Sequence, residues 1–155
     1  MTAAASRHLV ASGAFAALLT GCTPRVYEVP AGYTGWVIVE HGVVACAPLP
    51  VEHGEVVHRV PASGALCTSD PKEGGWLRHD SYFEVGSQRI AIPSDGPPSA
   101  RRVWSPGDGQ NGPYEFDAFF VGTWAQQEAE LAGMGEVVNR LRDQDGIGTP
   151  MPQGK

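Results

Sequence analysis

Most of the familiar catalytic signatures are missing from this 155-residue chain. It has no Gly-x-Ser-x-Gly elbow, no Walker loop and no dinucleotide-binding fingerprint, which removes the commonest nucleophile and nucleotide architectures. No apolar run is long enough to cross a bilayer; the longest, residues 9–19, would reach roughly 16 Å as a helix, about half of a hydrocarbon core. Basic clusters are missing as well. Only 18% of residues are charged and the formal balance is −6, which argues against nucleic acid and against electrostatic docking on anionic lipid. Cysteine is scarce, with three in the whole chain, and their positions carry most of the information.

Residues 1–21 have the layout of an export signal: Arg7 with the start amine, the apolar run, then small residues, with no carboxylate before Glu28. The run ends Leu19-Thr20-Gly21-Cys22, which resembles the lipobox of bacterial lipoproteins, where a branched apolar residue and two small ones precede a cysteine. That resemblance implies that Leu19, Thr20 and Gly21 are read by lipoprotein signal peptidase and that the thiol of Cys22 carries a diacylglycerol. It also implies attachment to the membrane through palmitate-type chains, since two or more acyl chains anchor stably. Thr23 follows the cysteine where an aspartate would signal retention, so in a Gram-negative cell the resemblance implies the outer membrane, on its periplasmic side or surface.

Removing residues 1–21 leaves enough chain for one domain with a real core and takes the formal charge to −7, because Arg7 leaves. With Cys22 taken by lipid, Cys46 and Cys67 remain as a pair, and in an oxidising compartment they are expected to form a disulfide. Such a bridge would contribute about 3 kcal/mol.

Periodicity and punctuation predict a mainly β domain, a compact antiparallel sheet or sandwich with one C-terminal helix. Residues 23–30 read as part of a lipidated tether covering 22–32, the β-rich domain as 33–145, and 146–155 as a flexible tail. Strands are predicted at 35–40, apolar on both parities as a central strand is, and at 43–47. Others fall at 54–61, pairing with 65–68 across Ala62-Ser63-Gly64, and at 76–78, 81–85, 88–92 and 114–121. Proline, glycine and serine mark 93–100 and 105–113 as loops. Thr123 is placed as a helix N-cap, with Gln126 completing a capping box. Trp124, Leu131, Met134, Val138 and Leu141 then recur at helical spacing, although Gly133 and Gly135 each cost about 1 kcal/mol.

Pro30-Ala-Gly-Tyr-Thr-Gly-Trp-Val-Ile-Val, Cys46-Ala-Pro-Leu-Pro, Pro61-Ala-Ser-Gly, Thr68-Ser-Asp and Phe119-Phe-Val-Gly-Thr occur in that order. The series resembles a family of small bacterial lipoproteins of unknown function, over about residues 28–123. It implies a lipoprotein with one β-rich domain and transfers no activity, ligand or catalytic residue.

His53-Gly-Glu55-Val-Val-His58 carries the residue types of a zinc hydrolase at the wrong interval. Those enzymes need i, i+4 on a helix, whereas here five residues separate the histidines and on a strand they point to opposite faces. Both are expected to be partly exposed strand histidines. Asp143-Gln-Asp145-Gly-Ile147-Gly148 begins like a calcium loop, but Ile147 at position 5 and Gly154 at position 12 stand where oxygen ligands belong, and Pro150 falls at position 8. His79-Asp80-Ser81 holds the types of a triad at adjacent positions, where side chains diverge. Trp36, Trp76, Trp104 and Trp124 are expected in packing rather than as a sugar platform. No catalytic residue, metal site or cofactor is therefore predicted. The expectation is a non-enzymatic, membrane-anchored envelope module with a protein or envelope partner, the alternative being an inhibitor or immunity-type lipoprotein acting on a periplasmic or surface hydrolase.

Overall fold

The computed structural model describes residues 23–72, 80–131 and 133–144. Nine strands and two helices follow in the order β1 (Arg25–Pro30), β2 (Gly35–His41), β3 (Val51–Glu52), β4 (Glu55–Arg59), β5 (Ala65–Cys67), β6 (Asp80–Val85), β7 (Arg89–Ala91), β8 (Arg102–Asn111), β9 (Tyr114–Gly122), α1 (Trp124–Ala129) and α2 (Gly133–Gln144). They form a five-stranded sheet in the order β3-β4-β1-β6-β7 and a four-stranded sheet in the order β5-β2-β9-β8.

The two parities of β2 explain the layering. Val37 and Val39 join Tyr27 and Val29 of β1 and Phe119 and Val121 of β9 in a core between the sheets. Trp36 and Ile38 point the other way and pack with Ala65, Trp104, Phe120 and Val137 of α2. A strand sandwiched on both faces is apolar on both parities, as β2 is from Trp36 to Val39.

The sheets are mixed rather than antiparallel: β1 runs parallel to both β4 and β6, and β2 runs parallel to β5. The turn at Ala62-Ser63-Gly64 does not return β5 to β4, as the hairpin expectation had it, but carries the chain to the other sheet, where Ile38 N–H donates to the Gly64 carbonyl at 2.9 Å. Gly64 sits at φ +78°, and a Cβ there would overlap the Trp36 carbonyl and the Tyr33 hydroxyl.

Three further expectations change. Residues 25–30, expected within the tether, form β1, the middle strand of the larger sheet, because Val26, Tyr27 and Val29 are buried on both of its faces. Residues 43–47 are a loop: Gly42 at φ +74° turns the chain out, and the loop is held by Val43 N–H to the Thr68 carbonyl at 2.9 Å. Residues 105–111, expected as loop, extend β8 past an irregularity between Trp104 and Gly107, because pairing with β9 overrides their weak strand propensity. Residues 76–78 lie outside the described residues.

The capping box at Thr123 is present, with Thr123 N–H donating to Gln126 Oε1 at 2.8 Å. The expected single helix is divided. α1 ends at Ala129, and Gly133 begins α2 with its N–H on the Glu130 carbonyl. Leu131 and Met134, expected on the buried stripe, are exposed, and Val137 takes the core position instead.

Candidate functional site

Alternation places four polar side chains at one end of the core between the sheets. On β1 the inward parity reads Arg25, Tyr27, Val29; on β9 it reads Val121, Phe119, Asp117; on β2 it reads Val37, Val39, His41; on β4, His58 lies beside Tyr27. The apolar layer therefore grades into Arg25, His41, His58 and Asp117, all of them buried.

Asp117 is the hub. Its Oδ2 accepts from Arg25 Nη2 at 2.7 Å, from the Tyr27 hydroxyl at 3.2 Å and from His41 Nε2 at 3.1 Å. The Tyr27 hydroxyl in turn accepts from Arg25 Nη2. Arg25 Nε also faces Asp80 Oδ1 at 3.8 Å, and Lys72 Nζ lies 2.8 Å from Asp108 and 3.8 Å from Asp117 Oδ1. A buried carboxylate is tolerable only with such charge-assisted donors.

The partners fix the tautomers. His58 donates from Nδ1 to the Val26 carbonyl at 3.3 Å and presents Nε2 to Arg25 Nη2 at 3.5 Å. Burial first, and the neighbouring Arg25 second, push its pKa down to about 4, so it is neutral at pH 7. The Tyr27 ring stacks on His58 with centroids 4.3 Å apart. Its hydroxyl is held protonated, far above the usual phenol range, by burial and then by Asp117. His41 gives Nε2–H to Asp117, and its buried Nδ1 has no hydrogen-bond partner among the described residues.

Two cavities flank the cluster. One, of about 330 Å³, is bounded by Arg25, His41 and His58 on the inside and by Leu49, Val51, Val56 and Asp70 towards the surface. The other, of about 390 Å³, opens by Tyr27, Asp80, Asp108 and Asp117.

The expected site residues are distributed differently. Leu19, Thr20, Gly21 and Cys22 lie outside the described residues, as do Trp76 and His79. Cys46 and Cys67 are joined as a disulfide with Cα atoms 5.9 Å apart, tying the loop after β2 to β5. His53 is exposed in the turn between β3 and β4, at φ +52°. His58 is fully buried and hydrogen-bonded, not partly exposed as expected, because its parity faces the second sheet. No group of three metal-ligating side chains occurs among the described residues. Trp36 and Trp104 are buried, with their indole N–H groups on the Glu130 and Gly122 carbonyls; Trp124 is half-exposed against Trp104. Asp143 lies in the last turn of α2, which ends at Gln144, and the rest of the calcium-like stretch, from Asp145, lies outside the described residues.

Arg25 and Asp117 were missed by sequence reasoning. Their signal was parity: an arginine two positions before Tyr27 and Val29, and an aspartate two before Phe119 and Val121, each stand on a face that is otherwise apolar.

No curated protein matches the chain. A crystal structure named "Putative Lipoprotein from Bacillus anthracis" shares the fold, with a TM-score of 0.57 at 22% identity over 78% of this chain and 95% of that one. The sequence pattern of a family of unknown function, DUF6843, matches residues 21–123, from just before Cys22 through both sheets to the N-cap of α1. That is well over half of the chain, and the protein belongs to this family.

Proposed function

We propose that the protein is a lipid-anchored module of the cell envelope that holds a ligand or partner without turning it over. The observation that carries this reading is the commitment of Asp117. Three donors converge on its Oδ2, so the carboxylate organises the sheet interface. A histidine oriented by an aspartate is two-thirds of a nucleophilic triad, but among the described residues His41 hydrogen-bonds no hydroxyl or thiol. His58 and Tyr27 are held neutral deep in the core, and Cys46 and Cys67 are oxidised to a disulfide. What remains accessible is a cavity bounded on its inner side by Arg25, His41 and His58, which suits recognition.

Anchorage is supported by the Leu19-Thr20-Gly21-Cys22 series, and the family match begins at residue 21, beside it. Outer-membrane residence belongs to the same proposal and applies to a Gram-negative host. Affinity capture from cross-linked envelopes, with a hydrolase panel on the purified protein, tests the reading. The expected result is a specific retained component and no turnover. A captured hydrolase whose activity falls on addition of the protein would turn the reading to an inhibitor; turnover abolished by His41→Ala would replace it with an enzyme.

A further inference from the structure

Residues 42–51 read Gly-Val-Val-Ala-Cys-Ala-Pro-Leu-Pro-Val, a stretch with no charged side chain, hydroxyl or amide. Such a run belongs in a core, yet this one is a surface loop. Val44 is 91% exposed and Val51 66%, with Ala45, Ala47, Pro48 and Pro50 exposed between them. The backbone of the loop has little left to offer water. Gly42, Val43 and Leu49 donate their N–H groups inward, to the Asp70 carbonyl, the Thr68 carbonyl and Asp70 Oδ2 at 2.9, 2.9 and 2.7 Å, and Cys46 donates to the Val43 carbonyl at 2.9 Å. Pro48 and Pro50 have no N–H. The Cys46–Cys67 disulfide pins the middle of the loop to β5. Moving this segment out of water therefore strands few backbone donors, the cost that keeps ordinary loops out of lipid.

The chain enters the domain at the same end. Arg25 at the start of β1 and His41 at the end of β2 meet at Asp117, and the loop follows directly from His41. The Pro24 carbonyl accepts from Val56 N–H at 2.9 Å, Val56 pairs with Val51, and Thr23 and Leu49 line one cavity. Cys22 is the next residue before Thr23. The exposed side chains of Trp124 and Leu131 lie at the other end, beyond Gly122 of β9, where the Trp36 indole donates to the Glu130 carbonyl.

Composition selects what covers the loop. It holds no aromatic, arginine or methionine side chain of the kind that anchors a protein interface, and β3 beside it offers an edge of two residues. A bilayer asks only for apolar contact. Glu52, which follows Val51, and Glu115, which pairs with His41, disfavour an anionic surface, so the contact is hydrophobic rather than electrostatic.

We propose that residues 42–51 seat in the headgroup layer of the bilayer that holds the lipid on Cys22, a second contact that fixes which end of the domain faces the membrane. The inference rests on the reading of Cys22 as the lipid-bearing residue and adds an orientation to it. A depth of about 5–10 Å, usual for apolar surfaces lying in this layer, takes in Val44 and Val51 and leaves the strands in water.

The test uses the full chain produced in bacteria, checked for lipidation by intact mass and reconstituted into phosphatidylcholine vesicles with or without lipid brominated near the headgroup. Val44→Trp and Val51→Trp place reporters at exposed positions that should not disturb folding, each read as its difference from wild type. Ile90→Trp is the control, since β7 pairs with the end of β6 that lies beside Pro30, away from the loop. The expected result is a shift of the added emission to shorter wavelength on vesicles and its loss with brominated lipid for Val44→Trp and Val51→Trp, unchanged by high salt, with Ile90→Trp unaffected. Equal loss in all three variants overturns the proposal, as does loss that high salt abolishes. A wavelength shift that brominated lipid does not quench places a protein on the loop, a second copy of the chain included, and overturns it too. Lipidated protein that floats with the vesicles while neither loop reporter is quenched removes this orientation alone; protein that is unlipidated and stays free of vesicles removes the anchor reading and the orientation with it.

Discussion

A single carboxylate holds the two sheets together at their polar end, and the energetics of Asp117 follow from its burial. It takes hydrogen bonds from Arg25 on one sheet and His41 on the other, so removing its charge strands a buried guanidinium. Asp117→Asn is expected to destabilise the fold by about 3–5 kcal/mol in urea denaturation. Adding Arg25→Met to Asp117→Asn should restore part of that loss, because the stranded charge goes too; strictly additive losses would mean that the pair is not coupled. His58 makes the same end of the core sensitive to acid. Its pKa in the folded protein is about 4, below the ordinary histidine value of 6.5, so the unfolded chain binds the proton first as pH falls. Its contribution to stability is full above about pH 6.5 and is lost progressively towards pH 4, at most about 3 kcal/mol from a single proton. Urea midpoints at pH 7 and pH 4.5 check this: wild type should fall more steeply than His58→Gln, and equal slopes would assign the acid sensitivity to carboxylates instead.

The elements show where local sequence decides and where it does not. β2 and the Thr123 cap were legible because their signals are contained within a few residues: a double-parity apolar run, and a side chain that reaches three positions along. The disulfide was legible from parity of count rather than from geometry. Strand direction was not, because whether β5 pairs with β4 or with β2 is decided by contacts made across the sandwich, and nothing in Pro61-Ala-Ser-Gly64 states how far the chain travels. β1 was hidden for a related reason. Residues 25–30 alternate Arg, Tyr and Val against Val, Glu and Pro, which resembles a solvated edge until a second sheet covers Arg25 and Tyr27. The candidate site inherits that limit, since its residues come from β1, β2, β4 and β9 and meet only in the assembled fold. The Cys46–Cys67 bridge spans a separation of 21 residues and fixes the loop that carries Leu49 to the cavity. Replacing both cysteines by alanine should cost about 3 kcal/mol, read as a lower thermal midpoint without loss of strand content by circular dichroism. An unchanged midpoint would show that the hydrogen bonds of Gly42 and Val43 to the 67–70 segment hold the loop unaided.

At the scale of the whole molecule, the chain between the proposed anchor, Cys22, and the domain is much shorter than the sequence suggests. A tether running to Trp36 would have let the domain roam roughly 45 Å from the attachment point. With β1 beginning at Arg25, only Thr23 and Pro24 separate Cys22 from a central strand, a reach of at most about 10 Å. With the lipid proposed at Cys22 in place, a domain so closely held would stay at the bilayer surface, where a short-range binder would meet membrane-borne or wall-borne partners at high local concentration. This arrangement depends on the lipid. The acidic balance of the chain offers no electrostatic substitute, and no helix among the described residues is long and apolar enough to cross a membrane. Cys22→Ala should therefore move the protein from the membrane to the soluble fraction. Wild type should stay in the membrane through a high-salt wash that strips electrostatically bound proteins and should dissolve only in detergent. Intact-mass measurement should find acyl chains on a polypeptide starting at Cys22. Soluble, unmodified wild-type protein would remove the anchor and, with it, the argument that the domain works at a membrane surface.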